Sequence, residues 1–142
     1  MNVKIRRMGP GDINRAYENC SLFWKMNNAR ADLTAYLSDP GCILLAADVD
    51  GEPAGQIVGY ILKRWDTVRP MLFLYSIDVD VNYRRRGIAR ALIHEFLDIG
   101  RVSGCDRSFV ITNEGNVPAM KLYETLGGTR VHSDDVMMCW RF

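Results

Sequence analysis

Three arginines and a glycine stand in a row at Arg84-Arg85-Arg86-Gly87, and Ile88, Ala89 and Arg90 follow. Guanidinium groups give forked, charge-assisted hydrogen bonds to phosphate oxygens. An alternating apolar run precedes the arginines, and a helical stripe of apolar residues follows Gly87. The turn therefore reads as strand, basic loop, helix start. The first N–H groups of a helix have no internal partner and lie at the positive end of its dipole. Gly87 and Ala89 carry almost no side chain, so an anion can come close to that backbone. The pattern suits a phosphate site, and it equally suits a solvated arginine cluster that helps to start a helix. It is not a Walker loop, because the Gly-Lys-Ser/Thr ending is missing. With a single glycine and a late strand it is not a dinucleotide fingerprint either.

Other chemistry is scarce. His94 and His132 are the only histidines, which argues against a His-based metal site and against a Ser-His triad; no metal is expected. Cys20, Cys42, Cys105 and Cys139 are widely scattered, with no zinc or redox spacing. They read as reduced, mostly buried thiols in a cytoplasmic protein. The 142 residues carry a net charge of +1, too little for a general nucleic-acid binder. No apolar run approaches the ~20 residues of a membrane helix. The charged start, Met1 to Arg7, lacks the apolar core of a signal peptide. Neither nucleic acid nor membrane is expected as a partner.

The elements that would position the basic turn can be read in order. Val3 to Arg7 is a short strand. Pro10-Gly11-Asp12 opens a helix that runs to about Phe23, and Ala29 to Leu37 is a second. Cys42 to Val49 and Ala54 to Leu62 are strands joined by a hairpin at Asp50-Gly51-Glu52. Gly55 and Gly59 mark a weak point or bulge in the second of these. Met71 to Val81 is a strand whose alternation changes phase between Leu74 and Ile77, as one extra residue would cause. A helix from Gly87 to about Val102 carries Ile88, Leu92, Phe96 and Ile99 on one face. Arg107 to Thr112 is a strand. Asn116 caps a helix that ends at Gly127-Gly128. Alternation through Val131 and Val136 to Trp140 suggests a last hairpin around Ser133-Asp134-Asp135. Residues 1–142 are expected to form one domain.

Arg84-x-x-Gly87-x-Ala89 resembles the Arg/Gln-x-x-Gly-x-Gly/Ala signature of the GNAT N-acetyltransferase superfamily. Ile77-x-Val79 is similar to the strand before that signature, and Ala91-Leu92 to its helix. Asn116-x-x-Ala119-x-x-x-Tyr123-Glu124-x-Leu126-Gly127 resembles the family's second signature. The resemblance implies an α/β (α+β) fold: a mixed, mostly antiparallel sheet of about seven strands, helices on both faces, and a bulged fourth strand. Phe73 to Val79, Pro118 to Tyr123 and Asp134-Asp135-Val136 look most like the aminoglycoside 3-N-acetyltransferase branch.

The same resemblance implies site residues. The cofactor is acetyl-CoA. Backbone groups of Ile77, Asp78 and Val79 would line its pantetheine and acetyl group, and Arg84, Arg85, Arg86, Gly87, Ile88, Ala89 and Arg90 its pyrophosphate. Asn116 and Tyr123 would reach it from the next helix. Tyr123 would protonate the departing thiolate; the same ring would also suit packing on the sheet. Some members carry a glutamate base where this chain has Ile111, and the aminoglycoside branch an aspartate where it has Ser76. Asp78, Asp80 and Glu114 remain as carboxylates, and Asp78 is favoured as the base. Phe23, Trp24, Trp65 and Tyr75 are candidate acceptor walls.

The expected activity is acetyl transfer to a primary amine of a small molecule, aminoglycoside-like or polyamine-like, by direct attack in a ternary complex. A protein or peptide amine is the alternative acceptor, and a non-catalytic acyl-CoA-binding module the alternative class. The strand edges of a small sheet would suit a homodimer.

Overall fold

The computed structural model describes residues 1–66 and 68–142. The chain divides into two compact units, Met1–Ile111 and Thr112–Phe142. The first holds a five-stranded sheet of β1 (Val3–Arg7), β2 (Cys42–Val49), β3 (Glu52–Leu62), β4 (Met71–Val79) and β5 (Arg107–Val110), in that spatial order. The first three pairings are antiparallel and the last, β4 with β5, is parallel. The sheet is mixed and mostly antiparallel, as the sequence predicts.

Successive strand residues face opposite sides of a sheet, and helices cover both sides here. On one side Ala16 and Cys20 of α1 (Ile13–Ser21) and Leu33 and Leu37 of α2 (Arg30–Ser38) form one buried cluster with Leu44, Ala46 and Val58 of the sheet. On the other side α3 (Ile88–Val102) packs Ile88 and Leu92 over Gly55, and Phe96 over Gly59. The stripe read as the buried face of α3 is that face: Ile88, Leu92 and Phe96 are buried, and Ile99, at its end, is half-buried.

Two register shifts shape the middle of the sheet. Val58 pairs with Ser76 but Gly59 pairs with Leu74, so Tyr75 is an extra residue in β4. This is the predicted bulge. Between β2 and β3 a second shift leaves Ala54 without an opposite residue, next to Gly55. Gly59 is glycine for a packing reason. A Cβ there would lie 2.4 Å from the Phe96 ring and 2.8 Å from the Phe73 carbonyl oxygen. Gly59→Ala is therefore expected to cost about 1–3 kcal/mol, as overpacking does. A thermal melt checks this, and an unchanged Tm would mean that Phe96 has room to retreat.

β4 ends at Val79, two residues before the predicted Val81. The Asp80 carboxylate accepts from the Asn82 N–H and starts a 3-10 turn at Val81–Tyr83 instead.

In the second unit α4 (Val117–Thr125) is capped as predicted: Asn116 Oδ1 accepts from the Ala119 N–H at 3.3 Å. The predicted last hairpin is not formed among the described residues, and the sheet has five strands, not about seven. Ser133-Asp134 does turn, but Val131, Val136, Met137, Met138 and Trp140 are exposed. Alternation favours extended backbone, and only a ladder with a neighbouring strand makes that a sheet.

Candidate active site

The basic turn lies between β4 and α3. Gly87 takes a left-handed φ of 79° and Arg85 one of 62°. Left-handed residues in a tight loop gather N–H groups into an anion-binding concavity. Gly87 is also the N-cap of α3 and has no side chain to satisfy the helix start. The first N–H groups of the helix are thus left for a ligand, and the space beside Gly87 is open. Arg84, Arg85, Arg86 and Arg90 are exposed, and none forms an ion pair among the described residues. Arg84 Nε donates to the Val79 carbonyl at 3.1 Å, bracing the loop against the strand end. The Arg86 guanidinium lies over the Tyr83 ring, 5.8 Å from its centroid. The Ile88 side chain is buried under Gly55, so Ile88 can offer only its backbone. Uncapped N–H groups, guanidinium groups without acidic partners among the described residues and an open approach fit a pyrophosphate.

β4 leads into this turn with one edge open. It pairs with β5 only along Met71 to Leu74. Past the bulge, Ser76, Ile77, Asp78 and Val79 stay paired to β3. On the other edge Ile77 to Val79 have no strand partner among the described residues. An extended chain carrying amides can add along such an edge as a further strand.

Asp78 is half-buried, and its Oδ2 accepts from Trp24 Nε1 at 3.2 Å. The rival carboxylates have other work. Asp80 caps its own turn, and Glu114 pairs with Arg130 at 2.5 Å in the second unit. Of the four aromatic candidates, the structure brings together Trp24 and Tyr75, with ring centroids 6.2 Å apart. Both are exposed, at 41% and 55%. Tyr75 continues into a row with Tyr60 and Phe73, which the sequence reading did not single out. Trp65 is 95% exposed and has no aromatic partner among the described residues. Phe23 is half-buried, likewise without one. The reading also missed two wholly buried polar residues, Asn19 and Gln56. Gln56 was detectable as the one long polar residue within the apolar run that follows Pro53 in β3. Of the two departures from the family pattern, Ser76 is half-buried and Ile111 is 55% exposed.

Asn116 and Tyr123 belong to the second unit. Tyr123 is half-buried, and burial raises its phenol pKa, so the group holds its proton at neutral pH.

All four cysteines are free. Cys20 is buried; burial first, and then the nearby Asp78, push its thiol up to about 11. Burial also raises Cys42 and Cys105. These three are poor nucleophiles at neutral pH. Cys139 is exposed, contrary to the expectation of mostly buried thiols, because the segment that carries it joins no sheet.

Residues 12–127 match the family model described as the acetyltransferase (GNAT) family. The N-acetylaspartate synthetase of Homo sapiens is 31% identical over 124 residues. That match covers 87% of this chain but spans only 38% of the human protein's length. An acetyltransferase of Pectobacterium atrosepticum is 30% identical over 127 residues, covering 89% of this chain and 86% of its own. Among solved structures, an aminoglycoside acetyltransferase from an uncultured soil metagenomic sample superposes with a TM-score of 0.80 at 27% identity, covering 98% of this chain and 100% of that one. The aminoglycoside acetyltransferase AAC(6')-Iy, in complex with a CoA-based bisubstrate analogue, superposes with a TM-score of 0.83. At 22% identity, over 100% of this chain and 99% of that one, it is alike in fold. Among the described residues no helix is long and apolar enough to cross a membrane.

Proposed function

Since the chain belongs to the acetyltransferase (GNAT) family, we propose that it transfers an acetyl group from acetyl-CoA to a primary amine of a small cationic molecule, aminoglycoside-like or polyamine-like. The observation that carries this reading is the open β4 edge at Ile77–Val79, which runs directly into the uncapped, arginine-ringed start of α3. An amide-bearing arm that ends in a pyrophosphate is the ligand such a surface fits. Pantetheine would add along the edge. The pyrophosphate would meet the N–H groups from Gly87 to Arg90 and the guanidinium groups of Arg84, Arg85, Arg86 and Arg90. Asn116 and Tyr123 take their roles from the family resemblance.

A cationic acceptor is supported by the wall beside that edge. Asp78 supplies a carboxylate, and Trp24 and Tyr75 supply exposed ring faces that attract cations. Asp78 takes a proton from the acceptor ammonium. The freed amine nitrogen bonds to the thioester carbon, the carbon–sulfur bond breaks, and the nitrogen's second proton passes to solvent. In the role that the family resemblance gives it, Tyr123 supplies a proton to the leaving sulfur. Direct attack needs no acyl-enzyme, in keeping with the raised thiols of Cys20, Cys42 and Cys105. We assign residues 1–142 to one transferase domain, because the family match at 12–127 runs from the first compact unit into the second. Four free cysteines support a cytoplasmic location.

Thiol release from acetyl-CoA, measured across aminoglycosides, polyamines and lysine peptides, tests the reading. Turnover of a small polyamine or amino sugar is the expected result. Turnover of peptides alone would transfer the reading to a protein acceptor. No turnover of any amine, with acetyl-CoA still bound, would leave a binding module.

The turn has its own test. Replacing both Arg85 and Arg86 by alanine is expected to weaken acetyl-CoA binding by about 10²-fold, at about 1.5 kcal/mol for each charged hydrogen bond lost. Neither arginine pairs with an acid among the described residues, so the melting temperature should hardly move. Calorimetric titration at two salt concentrations checks it, and the variant should also show the weaker salt dependence.

A further inference from the structure

Beneath Asp78 lies a pair of amides that the proposed chemistry does not use. Asn19 on α1 and Gln56 on β3 are both 0% exposed. Asn19 Nδ2 donates to the Gly55 carbonyl at 3.2 Å and to Gln56 Oε1 at 3.1 Å. These two bonds fix both amides, since turning Asn19 over would set its oxygen against two others. What remains is one donor, Gln56 Nε2, and one acceptor, Asn19 Oδ1, each buried and without a partner. Ser76 Oγ is in the same condition. A buried polar group left unpaired costs about 1–3 kcal/mol. Proteins commonly satisfy such groups with ordered water that makes about three hydrogen bonds.

The register shows where this unmet demand points. Gln56 stands directly opposite Asp78 in the β3–β4 ladder. Directly opposed residues face the same side of a sheet, with Cβ atoms about 4.5–5.5 Å apart. Ser76 lies two residues before Asp78, on that side. The Asp78 Oδ2 atom is taken by Trp24, while Oδ1 accepts no bond from the described residues. An unpaired donor and an unpaired carboxylate oxygen thus stand on opposed residues of one strand pair, and no hydrogen bond joins them among the described residues.

We infer that Asn19 and Gln56 form a buried amide shelf that holds an ordered water against the free oxygen of Asp78, making Gln56 a positioning residue for that carboxylate. The role rests on the reading of Asp78 as the group that meets the acceptor amine. The water accepts from Gln56 Nε2 and donates to Asp78 Oδ1, and its second hydrogen goes to Ser76 Oγ or Asn19 Oδ1. Trp24 from one side and this water from the other hold both carboxylate oxygens in one orientation.

A double-mutant cycle on the full chain, read by steady-state kinetics with the best amine of the panel, tests the coupling. Gln56→Met alone should lower kcat about tenfold, the worth of one hydrogen bond to a charged group, with KM for acetyl-CoA unchanged. In an Asp78→Asn background the same change should cost nothing further. Losses that simply multiply would overturn the positioning role, and so would an undiminished Gln56→Met enzyme. A crystal structure of the unaltered protein supplies the second measurement and stands even if Gln56→Met does not fold. Water density within hydrogen-bond distance of Gln56 Nε2 and Asp78 Oδ1 is expected, and a dry gap would overturn the shelf. Wild-type turnover by Asp78→Asn would instead defeat the reading of Asp78; the water density then decides the shelf alone.

Discussion

Asp78→Asn is expected to lower kcat/KM for the amine by about 10²–10⁴-fold, the usual worth of a positioned general base. The acceptor is mostly an ammonium at neutral pH and cannot attack until it sheds a proton. Asn is nearly isosteric and can still accept from Trp24 Nε1, so the wall should keep its shape. It cannot take the proton. Asp78 stands out by elimination as well as by place. Asp80 is spent on the Asn82 N–H and Glu114 on Arg130, whereas Asp78 sits on the strand whose other edge is open. Acetyl-CoA affinity should stay within about twofold, because the carboxylate faces the α1 side and the cofactor contacts proposed for this residue are backbone. The kinetics should therefore split, with the loss confined to the acceptor. An equal loss for both substrates would mean that the change had collapsed the strand instead. An unchanged rate would mean that water alone takes the proton.

The basic turn was legible in the sequence because its information is local. A glycine that turns the chain, small residues at a helix start and a run of arginines all lie within a few positions, and the structure places them at an uncapped helix start. The bulge was legible for the same kind of reason. One extra residue, Tyr75, shifts the phase of every apolar residue after it. The wall of Trp24 and Asp78 beside the β4 edge was not legible. Trp24 and Asp78 are 54 positions apart and meet only because α1, which Trp24 follows, packs over β3, the strand that pairs with β4. No spacing rule announces such a bond. The Asn19–Gln56 pair spans 37 positions and is hidden in the same way. The missing hairpin errs in the opposite sense. Val131 to Trp140 has the right alternation, yet a strand is a property of two segments, and no partner is paired with this one among the described residues.

Tyr123→Phe should lower kcat by about 10²-fold or more, the lower range for a lost general acid. The ring is half-buried, and removing one hydroxyl leaves its packing intact, so stability should barely change. Burial raises the phenol pKa, and the sign of that shift matters. The acid form is the working form, and a raised pKa keeps it populated through neutral pH and up past the ordinary value of about 10. The wild-type kcat should thus show no decline from this group until the pH exceeds that value, and the Phe variant should show no such limb at all. The leaving thiol provides a second axis. Coenzyme A leaves as a thiolate whose own pKa is near 8.5, so at higher pH the departing sulfur needs a proton less, and the gap between wild type and variant should narrow. A gap that stayed constant across pH would make Tyr123 a packing residue rather than a proton donor. A variant as fast as wild type at pH 7, with its melting temperature intact, would remove the phenol from the chemistry and leave the open edge of β4 and the acceptor carboxylate to carry it alone.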